Sequence, residues 1–217
     1  MMANIGVIFD MDGVLAYNNE YHLIAWRQFC QKYKLQTTDQ ELVSHFGMNN
    51  RDYFDFLFHQ KFAEEQVRQM GDEKEELYRI AYKPHLKQPD GLLNLLKDIK
   101  SHHIKIGLAS AAPIKNVDFI LDGLNIREYF DSLLYEGKVV HLKPHPEIYL
   151  KSANALGLIA SKCVVFEDSD NGIKSALSAG CKVIAVASYQ PRDHYLGMKV
   201  ICNFNEVCYA DLLKLIE

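Results

Sequence analysis

Two aspartates separated by a single residue follow an apolar run near the start of the chain: Ile5-Gly6-Val7-Ile8-Phe9 leads into Asp10-Met11-Asp12-Gly13. Three other polar sets are placed the same way. Ser110 follows residues 104–109, Lys143-Pro144 comes a short loop after 132–135, and Glu167-Asp168-Ser169 follows 163–166. The continuous apolar run 5–9 reads as a buried strand, 104–109 and 163–166 read as strands, and 132–135 reads as a weak one. In open parallel sheets, ligands bind beyond the carboxyl ends of the strands, so the four sets are expected to converge. The site would hold several carboxylates, a lysine and a hydroxyl. Crowded carboxylates need a cation, and oxygen donors beside a phosphate suit Mg2+. The lysine and hydroxyl suit a phosphate anion. These are the parts of phosphoryl transfer. Asp10 reads as the nucleophile, because a carboxylate can form an aspartyl phosphate. Asp12, aimed by the turn at Gly13, reads as general acid and then as base toward water.

Strands alternate with helical stripes over the rest of the chain. Leu92, Leu95, Leu96 and Ile99 mark one helix, and others follow each strand, with Gly123, Gly157 and Gly180 expected at helix C-caps. Residues 182–187 read as a further strand, and a last helix is expected from about Glu206. The alternation predicts an α/β fold, a Rossmann-like three-layer α/β/α core on a parallel sheet. Residues 16–85 break it with helical periodicity alone, such as Leu23, Trp26, Cys30 and Tyr33 on one face. They are expected to form an inserted helical cap domain, leaving 1–15 and 86–217 as the core. Phe54, Phe56, Phe58 and Phe62 read as the apolar interior of that cap, and Asp72-Glu73-Lys74-Glu75-Glu76 as a solvated helix face.

The 217 residues carry a net charge of −4, which excludes a nucleic-acid-scale basic field. No apolar run reaches the roughly 18 residues of a membrane span. Asp10 and Asp12 interrupt the only apolar run at the N-terminus, so no signal peptide is expected. Five cysteines without a CxxC pair argue against a disulfide framework or a cysteine zinc site, and suit a reducing cytoplasm. His141 and His145 are four apart, but Pro144 and Pro146 oppose a shared helix, so both read as loop histidines rather than a metal pair. There is no GxxxxGK[ST], GxGxxG or GxSxG, and Val14 after the DxDG run breaks a calcium loop.

Together the four sets resemble the haloacid dehalogenase superfamily of phosphotransferases. Asp10-Met11-Asp12-Gly13-Val14-Leu15 is similar to its nucleophile loop, and Leu108-Ala109-Ser110-Ala111 to its phosphate loop. Lys143-Pro144-His145-Pro146-Glu147-Ile148-Tyr149 resembles its lysine motif, and Glu167-Asp168-Ser169-Asp170-Asn171-Gly172-Ile173 its metal motif. The resemblance implies that Ser110, Ala111 and Lys143 bind phosphate. It implies that Asp10, the Asp12 backbone carbonyl and Asp168 hold Mg2+, with Glu167 either a ligand or behind one. Glu20-Tyr21-His22-Leu23-Ile24-Ala25-Trp26 is similar to the first cap helix of the β-phosphoglucomutase and sugar-phosphatase branch. By this resemblance Arg51 and Lys74 fall where cap residues of the mutase contact sugar phosphate, and His22 is expected either to assist proton transfer or to lock the cap closed. Tyr17-Asn18 and Glu75 depart from the mutase pattern, which has Asp-Thr and Asn there.

The expected activity is a Mg2+-dependent phosphatase of small phosphorylated metabolites, sugar phosphates foremost, acting as a cytoplasmic monomer without nucleic-acid or membrane partners. β-Phosphoglucomutase is the alternative on the same scaffold. A phosphate-binding regulator without turnover is the third reading, disfavoured because every group the chemistry needs is present.

Overall fold

The structure is a computed structural model and describes residues 5–44 and 50–216. The chain divides into two compact units, one of residues up to Tyr17 with Lys87–Glu217, the other Asn18–Leu86. The division falls after Tyr17 rather than after Leu15. The reason is local: the Met11 carbonyl accepts from the amides of Val14, Leu15 and Ala16, Asp12 bridges Ala16, and the Tyr17 hydroxyl donates to the Cys202 carbonyl at 3.1 Å.

The inserted unit is helical throughout its described residues: α1 (Asn19–Lys32), α2 (Asp39–Ser44), α3 (Asn50–Phe58) and α4 (Glu64–Tyr82), closed by a 3-10 turn at Lys83–His85. Helix α1 packs along α4, with α2 against α1 and α3 against α4. Trp26, Phe29, Tyr53, Phe54 and Met70 fill its interior, and Phe56, Phe58 and Phe62 pack on that cluster. The dense aromatics are thus cap core. The acidic run of α4 behaves differently from the solvated face expected of it. Lys74 and Glu75 turn inward, at 4% and 8% exposure, because each supplies the other's counter-charge.

The other unit is a six-stranded sheet with helices. Its strands are β1 (Gly6–Phe9), β2 (Lys105–Ala109), β3 (Ser132–Leu134), β4 (Cys163–Glu167), β5 (Lys182–Val186) and β6 (Lys199–Ile201). All neighbouring pairs are parallel in the order β3-β2-β1-β4-β5-β6. The helices are α5 (Leu92–Ser101), α6 (Ile114–Gly123), α7 (Glu147–Ala155), α8 (Asp170–Ser178) and α9 (Tyr209–Ile216). Strand residues alternate between two faces. Ile8, Val165 and Ala185 join α7 and α8 in one apolar cluster. Phe9 and Phe166 point to the other face and stack at 4.8 Å, with Phe204 against both. Both faces are covered, which is why the buried stretches of the central strands, such as Val7–Phe9 and Val164–Phe166, are apolar without alternation.

Two local expectations are corrected. Gly123 is the last residue of α6, and the left-handed residue that ends the turn is Asn125 at φ 55°, which an asparagine tolerates. Strand β6 has no signal in the sequence, since three residues carry no period; pairing with β5 makes it a strand. Gly157 and Gly180 do adopt positive φ, at 75° and 88°.

Candidate active site

Strand register brings the acidic groups together. Phe9 pairs with Phe166, and the next amide, Asp10 N–H, donates to the Phe166 carbonyl at 3.0 Å, so Asp10 leaves the sheet beside Glu167. Glu167 is the last residue of β4 rather than the first after it. On the other side of β1, Phe9 pairs with Leu108 and Ser110 follows β2. Ser110 is buried, its amide donates to the Leu134 carbonyl, and its Oγ accepts from the Ala112 amide at 3.0 Å. Ala111 lies exposed in the same turn and can offer only its backbone.

Lys143 binds the two carboxylates to each other. Its Nζ is 2.6 Å from Asp10 Oδ1 and 2.6 Å from Glu167 Oε1, with 8% of the side chain exposed. It also stands over the ring of Tyr149, 5.0 Å from the centroid. Tyr149, on α7, donates its hydroxyl to Glu167 Oε1 at 2.9 Å. The other Glu167 oxygen accepts from the amides of Asp168 and Ser169 and from the Ser169 hydroxyl, at 2.9, 3.0 and 3.1 Å. A carboxylate offers about four lone-pair sites, and five donors converge on this one.

Two glycines make room for the carboxylates. A Cβ on Gly13, at φ 78°, would overlap the Asp168 carboxylate, and a Cβ on Gly172 would overlap that of Glu167. The Asp168 carbonyl is held in turn by the Tyr195 hydroxyl at 2.5 Å. One oxygen from each of Asp10, Glu167 and Asp168 lies within 4.8 Å of the others. Asp12 sits partly buried in the loop after β1.

This much acid in so little water shifts its own titration. Burial pushes the Asp10 carboxyl up to about 8; Lys143 pulls it down, and Glu167 and Asp12 push it up again. Burial, then Glu167 and Asp10, hold Asp168 well above the usual carboxylate range. Burial works against the Lys143 charge, but Asp10 and Glu167 outweigh it and the ammonium is held above its ordinary value. The donors are all oxygen and the negative charge is in excess, which fits a hard divalent cation.

The cap residues form their own cluster in the helical unit. Lys74 Nζ is 3.0 Å from His22 Nδ1 and 2.8 Å from Glu75 Oε1, and lies 5.0 Å from the Trp26 ring centroid. His22 stacks on Tyr78 at 3.8 Å, and Asn18 donates to the Tyr78 hydroxyl. Arg51 is engaged elsewhere, with the Phe62 carbonyl at 3.0 Å and Glu64 at 2.5 Å.

The sequence pattern assigns no role to Tyr149 or Tyr195. A tyrosine inside an apolar helix pattern looks like core, and the only signal was its place two residues after Glu147 in the lysine motif.

A parallel sheet with an aspartate at its central strand end, a bridging lysine and an acidic pair on the next strand defines a class of phosphotransferases. The sequence model of the haloacid dehalogenase-like hydrolases matches residues 7–186, and the chain belongs to that family. It is an enzyme of the branch that holds β-phosphoglucomutase and the sugar phosphatases. A phosphorylated carbohydrates phosphatase of Thermotoga maritima is 31% identical over 178 residues, 82% of each chain. A haloacid dehalogenase hydrolase of family IA, variant 3, from Entamoeba histolytica superposes with a TM-score of 0.91 at 29% identity, covering 98% of this chain and 99% of its own. A β-phosphoglucomutase of Clostridium difficile does so at 0.84 and 30% identity, covering 100% and 97%. Among the described residues no helix is long and apolar enough to cross a membrane.

Proposed function

We propose that the chain is a Mg2+-dependent phosphatase of small phosphorylated metabolites, sugar phosphates foremost, working through an aspartyl phosphate on Asp10. The observation that carries this reading is the Asp10–Lys143–Glu167 arrangement, two carboxylates on one buried lysine with Asp168 and Asp12 close by.

Asp10 attacks the phosphoryl group, while Asp12 gives a proton to the departing alcohol oxygen and later takes one from the attacking water. Lys143 and Ser110, with the Ala111 backbone, receive the phosphoryl oxygens. Asp10, Asp168 and the Asp12 carbonyl would hold Mg2+, which supplies positive charge that keeps Asp10 ionised and neutralises the phosphoryl oxygens. Glu167 is assigned a positioning role rather than a place on the metal. Its oxygens already accept five hydrogen bonds, and through them it fixes Lys143 and the turn at 168–169.

Hydrolysis is favoured over isomerisation by the Lys74–Glu75 pair. A mutase must grip a second phosphate with a cap cation. Here the buried Lys74 is bonded to a carboxylate at 2.8 Å, and Arg51 to Glu64. Negative charge beside the lysine weakens bisphosphate binding. His22 is assigned to hold Lys74 and assist the proton transfer. The name of the Thermotoga maritima relative points to the same substrate class. We read the enzyme as a cytoplasmic monomer.

The test is phosphate release over a panel of phosphometabolites with Mg2+, together with β-glucose 1-phosphate and a trace of the 1,6-bisphosphate. Inorganic phosphate is the expected product. Rapid glucose 6-phosphate with little inorganic phosphate would establish the mutase instead, and no turnover on any substrate would leave the regulator.

A further inference from the structure

Residues 139–147, which carry Lys143, gather a second set of metal-binding side chains on the outside of the sheet unit. His141 Nδ1 lies 3.0 Å from Glu147 Oε2, and the His141 and His145 rings face each other at 4.4 Å and 33°. One donor atom from each of the three residues lies within 4.8 Å of the others. No shared helix is involved. The two prolines prevent one, and the loop turns back through a His145 amide bond to the Leu142 carbonyl.

Glu147 is anchored before any ligand arrives. Its oxygens accept from the Val140 and His141 amides at 3.0 and 2.9 Å and from Lys151 Nζ at 2.6 Å. Lys151 first, then those amides, hold its carboxyl well below the usual range, so it presents a fixed negative charge. Both histidines are exposed and can adjust, while Lys151, 47% exposed, can swing out to water.

We propose that His141, His145 and Glu147 form a binding site for a borderline divalent cation of the zinc class, separate from the acidic centre. Two imidazoles and one carboxylate are a three-ligand set that zinc takes with an open fourth position. Donors at about 2.0–2.1 Å in a tetrahedron stand roughly 3.3 Å apart, so the present spread closes by small side-chain rotations. The two sites sort cations by donor type. Oxygen alone selects Mg2+ at Asp10 and Asp168, and imidazole selects zinc at the loop. Lys143 lies midway between the two histidines in sequence, so a bound cation would tie together the ends of the segment that presents it.

Equilibrium dialysis of the untagged protein against Zn2+, in millimolar Mg2+, tests the site. The wild type is expected to retain one zinc ion, and His141→Ala and His145→Gln are each expected to weaken it by about tenfold or more. Asp168→Ala should keep it. Crystals soaked in Zn2+ should show an anomalous peak between the two imidazoles. The proposal is overturned if wild type retains no zinc, or if Asp168→Ala abolishes retention while the histidine variants do not. Because both imidazoles are on the surface, their loss leaves the fold intact, and Mg2+-supported turnover in His141→Ala should match wild type.

Discussion

Lys143 in the sheet unit and Lys74 in the helical unit are both buried, with 8% and 5% of their side chains exposed. Their surroundings differ. Lys143 bonds two carboxylates, and Asp12 and Asp168 add further negative charge nearby. Lys74 bonds the carboxylate of Glu75 and the ring of His22, on a floor of Trp26. One lysine is outnumbered and the other is matched. An outnumbered lysine leaves excess negative charge of the kind a divalent cation neutralises, while a matched pair balances its own charge. The proposed chemistry rests on the first, and the second is an ion pair inside the helical unit.

The largest effect should come from Asp10→Asn. The amide keeps the shape but cannot attack, so turnover should fall by about 10^4-fold or more, as for other nucleophile losses. The same variant checks the electrostatics. In chelator, the folded Asp10 titrates at about 8 against an ordinary 3.8. Between those values the native state holds the extra proton. The stability it contributes is therefore present below about pH 4 and lost as pH rises through about 8. Thermal unfolding followed from about pH 5 to about pH 9 should show Tm declining in wild type and declining less in Asp10→Asn. Asp168, also raised, adds to the slope in both. Equal slopes would remove the charge excess from the account.

Removing the cation comes next. Excess chelator should stop phosphate release, Mg2+ should restore it, and Ca2+ should not, because its looser, larger shell misplaces the reacting groups. Asp168→Ala should raise the Mg2+ needed for half-activity by about tenfold or more. Full activity in chelator would break the contrast at its root.

Glu75→Gln turns the matched lysine into an unmatched one. Leaving one buried partner without the other costs about 3–5 kcal/mol, read as a drop in unfolding free energy in urea. Any enzyme that stays folded should also shift product toward glucose 6-phosphate. If stability and product ratio both stay at wild-type values, the pair neither settles the cap nor guards it. The smallest effect is expected of His22→Ala. Losing the Tyr78 stack should cost about 1 kcal/mol, and turnover of the true substrate should fall with Mg2+ affinity unchanged. A rate and KM equal to wild type would take His22 out of the reaction.

The parts of the site that the sequence displayed are those on a strand end. Asp10, Ser110 and Glu167 stand out because an apolar strand breaks into a polar residue at its carboxyl end, and parallel register then aligns the ends. Residues that support the site from helices were hidden. Tyr149 continues an apolar helical stripe, and only its hydroxyl, on Glu167, reveals a second duty. Within the helical unit, the burial of Lys74 and Glu75 as a pair was hidden for the converse reason. Charged neighbours on a helix look solvated until packing brings them against each other and against Trp26. Glu147 joined the two histidines through a loop reversal that no periodicity reports. Strand β6 is too short for any pattern, and its edge position is set by β5 alone.

The sheet order also sets a timetable for synthesis. Strand β1 is central, and Gly6 pairs with Lys105 on one side and Cys163 on the other. Ribosomes add about 5–20 residues per second, so this wholly apolar segment waits some 5–20 s for its first neighbour and longer for its second. During that wait the inserted helical unit emerges complete, with its own aromatic interior. At that stage the nascent chain holds the whole helical segment while β1 still lacks both neighbours, and Asp10 meets Glu167 only when β4 docks. A holdase that covers residues 5–9 should therefore raise the yield of active enzyme, and a slowed stretch of codons after residue 86 should lower it.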